Sequence, residues 1–263
     1  MSELLHPILL GLVEGVTEFL PVSSTGHLLL AEHWLGARSE VFNVVIQAGA
    51  IVAIVLIYRE RLWQLATGLR APENRDYALK LLTAFLITAV LGLLATKLGF
   101  KLPETVTPIA WALLVGGIWM LGAEWLAAKQ PERRAITWRV AVLVGLAQVV
   151  AAIFPGTSRS AATIFVAMLA GTGNRAAATE FAFLVGIPTM FAASGFELLK
   201  ALGHGAAHED WSALAIAFTT SLMTAFVAVR WLLDYIRTHR FTPFAIYRIV
   251  LGIVLLVALP AGA

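Results

Sequence analysis

A chain of 263 residues that is 59% hydrophobic and only 13% charged, with a mean hydropathy of +0.83, carries more apolar surface than a soluble domain of its size can bury. It has no cysteine, which excludes a disulfide framework, thiolate metal sites and thiol chemistry. Its formal charge of +3 gives nucleic-acid binding no support, and in a membrane protein the placement of Lys and Arg matters more than their sum.

Residues 1–8 carry Glu3, His6 and Pro7 where a removable signal would be basic, and no small-residue cleavage site follows, so the start of the chain is expected to belong to the fold. The apolar region 4–34 is interrupted near its middle by Pro21-Val22-Ser23-Ser24-Thr25-Gly26, and reads as two half-helices around a polar turn. Spans long enough to cross the hydrocarbon follow at 41–58, 80–98 and 107–127. A second interrupted region, 138–170, is broken by Pro155-Gly156-Thr157-Ser158-Arg159-Ser160, and further spans follow at 181–200, 212–233 and 245–259. The expected fold is all-α: a polytopic membrane protein, one integral membrane domain over 1–263, with six transmembrane helices plus two re-entrant helical hairpins.

Basic residues set the orientation. The segments around 59–80, 129–139, 175 and 230–248 hold 14 of the 19 (Arg59, Arg61, Arg70, Arg75, Lys80, Lys129, Arg133, Arg134, Arg139, Arg175, Arg230, Arg237, Arg240 and Arg248), whereas Arg38, Lys97, Lys101 and Lys200 fall on the opposite side. The first group is therefore expected in the cytoplasm. By the same counting 138–170 is a hairpin entering from the cytoplasm, and 4–34 one entering from outside. An offset of 134 pairs Gly11 with Gly145, Leu12 with Leu146, Glu14 with Gln148, Pro21 with Pro155 and Ser24 with Ser158. Each hairpin is followed by three spans. Together these features describe an inverted-topology repeat over roughly 1–128 and 138–263, with the two turns facing each other across a polar pocket.

Ionisable groups at membrane depth tend to mark function, and here they gather at the breaks: Glu14, Glu18 and His27 at the first, Arg159 at the second. Glu14 and Glu18 are four apart, so their carboxylates share a helical face and repel unless something positive intervenes. A hard divalent cation, Mg²⁺ or Ca²⁺, answers that need; ion pairing with Arg159 or a proton path would answer it too. Ser24 and His27 are three apart, which suits a hydroxyl nucleophile beside a base, or a His that itself attacks or protonates. Ser23, Ser24 and Thr25 would also serve as helix caps. The second turn offers Gly156, the hydroxyls of Thr157, Ser158 and Ser160, the Arg159 guanidinium and the free amides of a helix N-terminus, which are the parts of an anion site. A structural pairing of Arg159 with Glu18 or Glu180 is the alternative. Gln47 and Glu180 are weaker candidates that helix packing alone would explain.

The run Glu14-Gly15-Val16-Thr17-Glu18-Phe19-Leu20-Pro21-Val22-Ser23-Ser24-Thr25-Gly26-His27-Leu28, with Pro155-Gly156-Thr157-Ser158-Arg159-Ser160 and Glu180-Phe181-Ala182-Phe183-Leu184, resembles undecaprenyl-diphosphatases of the bacitracin-resistance type over essentially the whole chain. The resemblance implies removal of the terminal phosphate of undecaprenyl pyrophosphate, which recycles the monophosphate carrier for peptidoglycan synthesis. It also implies a divalent cation and a site in the bacterial inner membrane opening to the periplasm. The family's acidic motif falls on Glu14 and Glu18, its Ser/His segment on Ser24 and His27, and its basic motif on Ser158 and Arg159. Thr25, Ser160 and Gly156 complete the expected phosphate contacts, with Glu14 and Glu18 as metal ligands. Ala161 stands where a Gly is common. The expected partners are the polyprenyl pyrophosphate and the bilayer, and a homodimer stays open. Another class of lipid phosphatase shares a Ser-Gly-His-like segment and a Ser-Arg pair, but it needs a second His and an Asp after that pair, and residues 160–173 contain neither. A polyprenyl-phosphate transporter or flippase is the remaining rival, since inverted repeats with broken helices are common there.

Overall fold

Chain in contact with hydrocarbon must satisfy its own backbone polar groups. The computed structural model accordingly holds eleven α-helices and no strand among its described residues, 2–100, 105–203 and 210–258. They are α1 (Ser2–Thr17), α2 (Ser24–Leu35), α3 (Glu40–Ile57), α4 (Arg59–Thr67), α5 (Pro72–Lys97), α6 (Val106–Ala127), α7 (Trp138–Ile153), α8 (Arg159–Leu169), α9 (Arg175–Gly203), α10 (Trp211–Tyr235) and α11 (Thr242–Ala258). Five of them, α3, α5, α6, α9 and α10, are long and apolar enough to cross a membrane. The expected sixth span is α11, apolar and 17 residues long. Its anticipated last residue, 259, and Lys101 lie outside the described residues.

Two helices begin earlier than hydropathy suggests, for local reasons. α5 starts at Pro72, a residue preorganised for a first helical turn, and Asp76 pairs with Lys80 one turn on, carrying the helix through polar sequence. α9 starts at Arg175 because the Asn174 side chain accepts from the Ala177 amide at 3.0 Å. The short helix α4 was not anticipated at all. Its charges Arg59, Glu60 and Arg61 hide an amphipathic turn whose Leu65 is buried while Trp63 is 70% exposed.

Both interrupted regions are helix–turn–helix units, α1–α2 and α7–α8. α1 packs along α10 and α7 along α5. Small residues permit this close approach: a Cβ on Gly11 would lie 2.5 Å from the Ala217 carbonyl oxygen, and one on Gly145 would lie 2.8 Å from that of Ala84. α3 crosses both α9 and α10, α5 also meets α9, and α6 lies against α11 and α8. The half-helix α8 is enclosed, with Ser160 to Ile164, Phe165, Ala167 and Met168 all buried. The outward faces are apolar instead: Leu82, Leu86, Val90 and Leu93 of α5 and Trp111, Val115 and Ile118 of α6 are exposed, as lipid-facing residues should be. Exposed Trp63, Trp125 and Trp138 mark the helix ends rich in basic residues, and Trp34 and Trp211 the other ends, which gives the aromatic belts of a spanning protein.

Arg248 requires a correction. It was counted with the cytoplasmic flank, yet it sits inside α11 with no exposure. Thirteen basic residues remain on that flank, so the asymmetry behind the orientation persists.

Candidate active site

Helical geometry continues just past α1, where the Glu18 amide donates to the Glu14 carbonyl at 2.9 Å, so the two carboxylates stand one turn apart on a common face. Both are buried, at 1% and 8% exposure. The chain then turns over 19–23 and restarts at α2. Ser23, the residue before the restart, has φ of 76°, and Ser158, the residue before α8, has φ of 67°. They are the two non-glycine residues with positive φ among those described, a conformation that costs about 1–3 kcal/mol each and persists where the surroundings impose it. Each aims the first residue of its half-helix, Ser24 or Arg159, at the same small space. Ser23 and Ser158 thus hold matching places before α2 and α8, one residue off the sequence pairing of Ser24 with Ser158.

That space is a cavity of about 50 Å³ lined by Glu18, Ser23, Ser24, Thr25, Gln47, Ala151, Gly156, Ser158 and Arg159. An Arg159 guanidinium nitrogen lies 3.7 Å from Glu18 Oε1, joining the two breaks. Ser24 Oγ donates to the other carboxylate oxygen, Glu18 Oε2. Arg159 is therefore paired with Glu18 and not with Glu180, which instead meets Arg61 at 3.4 Å beside Tyr77.

Three expectations change. Among the described residues no hydrogen bond joins Ser24 to His27: Ser24 is held by Glu18, while His27 Nδ1 lies 2.7 Å from the Ser23 carbonyl oxygen and Nε2 lies 2.6 Å from the Tyr247 hydroxyl. His27 thus meets Tyr247 of α11 and is not among the cavity-lining residues. Ser160, expected on phosphate, lies outside the cavity lining, and its hydroxyl donates to the Leu20 carbonyl at 3.0 Å, tying the second turn to the first. The cap expected at the first turn is missing, since Ser23, directly before α2, makes no side-chain cap bond. A cap not expected stands at the second turn, where Ser158 Oγ accepts from the Ala161 amide at 3.3 Å.

Two contributors were not singled out for the site. Arg248 donates to the carbonyls of Thr157 at 2.9 Å, Gly156 at 3.0 Å and Ala112 at 3.1 Å, and so fixes the second turn against α6. An Arg within an apolar span was the available signal. Tyr247 had none, since its partner lies 220 residues away. Gln47, rated a weaker candidate, lines the cavity, with its side-chain carbonyl accepting from Ser194 at 3.3 Å.

Among the described residues no three His, Cys, Asp or Glu side chains converge as a metal cluster. The acidic pair nevertheless suits a hard cation: Glu14 Oε2 is buried without a hydrogen-bond partner, one helical turn from Glu18. Such a cation usually completes its shell with water and substrate phosphate.

The fold and this site define a polytopic membrane protein with carboxylate, hydroxyl and guanidinium groups brought together from two broken helices. The chain belongs to the family described as bacitracin resistance protein BacA, whose model matches residues 7–254. It is 68% identical over 253 residues to the undecaprenyl-diphosphatase of Rhizobium etli, covering 96% of each chain. It is 62% identical over 264 residues to the undecaprenyl-diphosphatase of Xanthomonas oryzae pv. oryzae, covering all of both.

Proposed function

We propose that the chain is an integral membrane hydrolase that removes the terminal phosphate of undecaprenyl pyrophosphate, yielding undecaprenyl phosphate and inorganic phosphate. This recycles the lipid carrier for peptidoglycan synthesis and accounts for the bacitracin resistance in the family's description. The relatives' names supply the substrate. The observation that carries the chemistry is Glu18 joined at once to the Ser24 hydroxyl and to Arg159 from the other half of the chain.

In this reading Ser24 Oγ attacks the terminal phosphorus and passes its proton to Glu18. The bridging P–O bond breaks, and the polyprenyl monophosphate leaves with the bridging oxygen. Water then hydrolyses the phosphoserine, freeing inorganic phosphate and restoring the serine. Arg159, with Thr25, the Ser158 hydroxyl and the Gly156 backbone at the cavity wall, holds the phosphate oxygens, where a guanidinium stabilises charge that develops in the transition state. Ser24 is preferred to His27 as nucleophile because its hydroxyl meets a carboxylate, while both His27 nitrogens are engaged elsewhere. A divalent cation, Mg²⁺ or Ca²⁺, would be held by Glu14 and Glu18 and would neutralise pyrophosphate charge when bound.

The halves 1–128 and 138–263 are read as an inverted repeat. The matched packing of α1 on α10 and α7 on α5 supports this. With the basic flank in the cytoplasm of a bacterial inner membrane, the cavity opens to the periplasm. As monomer or homodimer, one chain supplies every residue named here. Purified protein should release inorganic phosphate from a polyprenyl pyrophosphate, and less so with chelator. A transporter or flippase would bind the lipid and release none.

A further inference from the structure

Phe154 to Thr157 form a tight turn in which the Thr157 amide donates to the Phe154 carbonyl at 3.2 Å, with Pro155 and Gly156 between them and Gly156 at φ of 90°. Arg248 takes the next two carbonyls, those of Gly156 and Thr157. Gly116 of α6 leaves it room, since a Cβ there would come within 2.2 Å of Nη2. Among the described residues this fully buried Arg has no carboxylate partner, and its Nε makes no hydrogen bond. A guanidinium at membrane depth without a counter-charge is costly, more so than pinning a turn requires. What it holds is the orientation of peptide planes. In a trans peptide the N–H points opposite to the C=O, so drawing the Thr157 carbonyl toward Arg248 turns the Ser158 N–H away from it. Gly156, Ser158 and Arg159 line the cavity and Arg248 does not, so these residues are the wall between the two. Among the described residues the Ser158 amide has no acceptor. The first amides of α8, which find none within the helix, follow it.

We infer that the Ser158 backbone N–H is a phosphate donor of the site, and that Arg248 is the positioning residue that turns it inward from behind the wall. The inference rests on the cavity receiving phosphate as proposed above. An amide set before the substrate arrives stabilises charge developing on the phosphate oxygens without reorganising. Arg159 meets those oxygens with a side chain, whereas the Ser158 N–H belongs to a peptide that Arg248 keeps from rotating. The cation behind that peptide also polarises it and strengthens its donor.

The wild-type protein can be read directly by NMR. With carbon-13 in the Thr carbonyls and nitrogen-15 in the Ser amides, only Thr157-Ser158 and Thr220-Ser221 join the two labels, and Thr220→Val tells their signals apart. Inorganic phosphate, at concentrations that inhibit turnover, should move the Ser158 amide signal downfield and leave that of Ser221 in place. Arg248→Lys keeps the charge but cannot fork onto two carbonyls. In that variant the displacement should shrink and kcat should fall about a hundredfold, with KM within about threefold. A Ser158 signal that stays still while phosphate inhibits would overturn the inference. So would wild-type kcat in Arg248→Lys, or a lowered kcat with the displacement intact. Where Arg248→Lys does not fold, the wild-type titration alone decides. Phosphate that neither inhibits nor moves the Ser158 signal, with Arg159→Lys as active as wild type, would instead remove the phosphate reading of the cavity and this inference with it.

Discussion

The two breaks share a backbone plan and differ in how their polar atoms are spent. Each has a serine at positive φ directly before a half-helix whose first residue enters the cavity. At the second break nearly every polar group is tied down: Arg248 takes the Gly156 and Thr157 carbonyls, Ser158 caps α8 and Ser160 reaches Leu20. At the first break the groups are charged and incompletely satisfied, with Glu14 Oε2 buried and unpartnered and Glu18 shared between Ser24 and Arg159. On the proposed reading the first turn reacts, and the second stays still while presenting a single cation. Buried polar groups left unpaired are costly, and both sides carry them, Glu14 Oε2 beside the first break and Gln148 Oε1 and Arg248 Nε beside the second, so the difference lies in charge: at the first break the unpaired atom belongs to a carboxylate.

The sharpest test of that division is Glu18→Gln. It removes the proton acceptor for Ser24 and half of the acidic pair, and should lower phosphate release about a thousandfold while weakening the dependence on divalent cation. Retention of near-wild-type, metal-dependent turnover would place the reactive centre elsewhere. Arg159→Lys comes next. A lysine keeps the charge and loses the planar fork, and removing one transition-state contact of this kind costs about 3 kcal/mol, on the order of a hundredfold in kcat. If Lys serves as well as Arg, the second break supplies only charge.

Smaller effects should separate holding from reacting. Ser160→Ala deletes the bond to the Leu20 carbonyl and should lower thermal stability by about 1–2 kcal/mol, with a modest change in kcat. A collapse of kcat at unchanged stability would make Ser160 a substrate ligand after all. Least in size is a paired change at the strained serines. Ser23→Gly relieves positive φ without losing a cap bond and should raise stability by about 0.5–1 kcal/mol, whereas Ser158→Gly forfeits the bond from the Ala161 amide and should gain nothing. Equal gains at both positions, measured as shifts in melting temperature, would erase the asymmetry.

Much of this was legible in the sequence, and the family resemblance was borne out over the whole chain. The breaks announced themselves through Pro21 and Pro155 within apolar runs, and Glu14 and Glu18 through helical spacing. The Glu18–Arg159 pair was one of two partnerships weighed for that guanidinium. What stayed hidden depends on side-chain direction and on distant partners. Spacing brought Ser24 and His27 to neighbouring positions, but the hydroxyl turned to Glu18 and the imidazole to Tyr247 on α11. Ser160 looked like an anion ligand until its hydroxyl met a backbone carbonyl from the other hairpin. Arg248 was read as flank because a basic residue near a helix end ordinarily is one; only packing shows it enclosed. α4 escaped because a single amphipathic turn among charges has too little periodicity to stand out.

The contact between Arg159 and Glu18 has a bearing on how a turnover ends. A carboxylate 3.7 Å from the guanidinium and fixed to the same chain is a tethered rival for it, present at a high effective concentration whenever the cavity is empty. A lipid pyrophosphate, gathered in the bilayer and gripped at two phosphates, can displace that rival. On the proposed mechanism, orthophosphate left behind after cleavage would hold on with one phosphate alone, and Glu18 would compete with it for Arg159. The resting ion pair would then also help to clear the product.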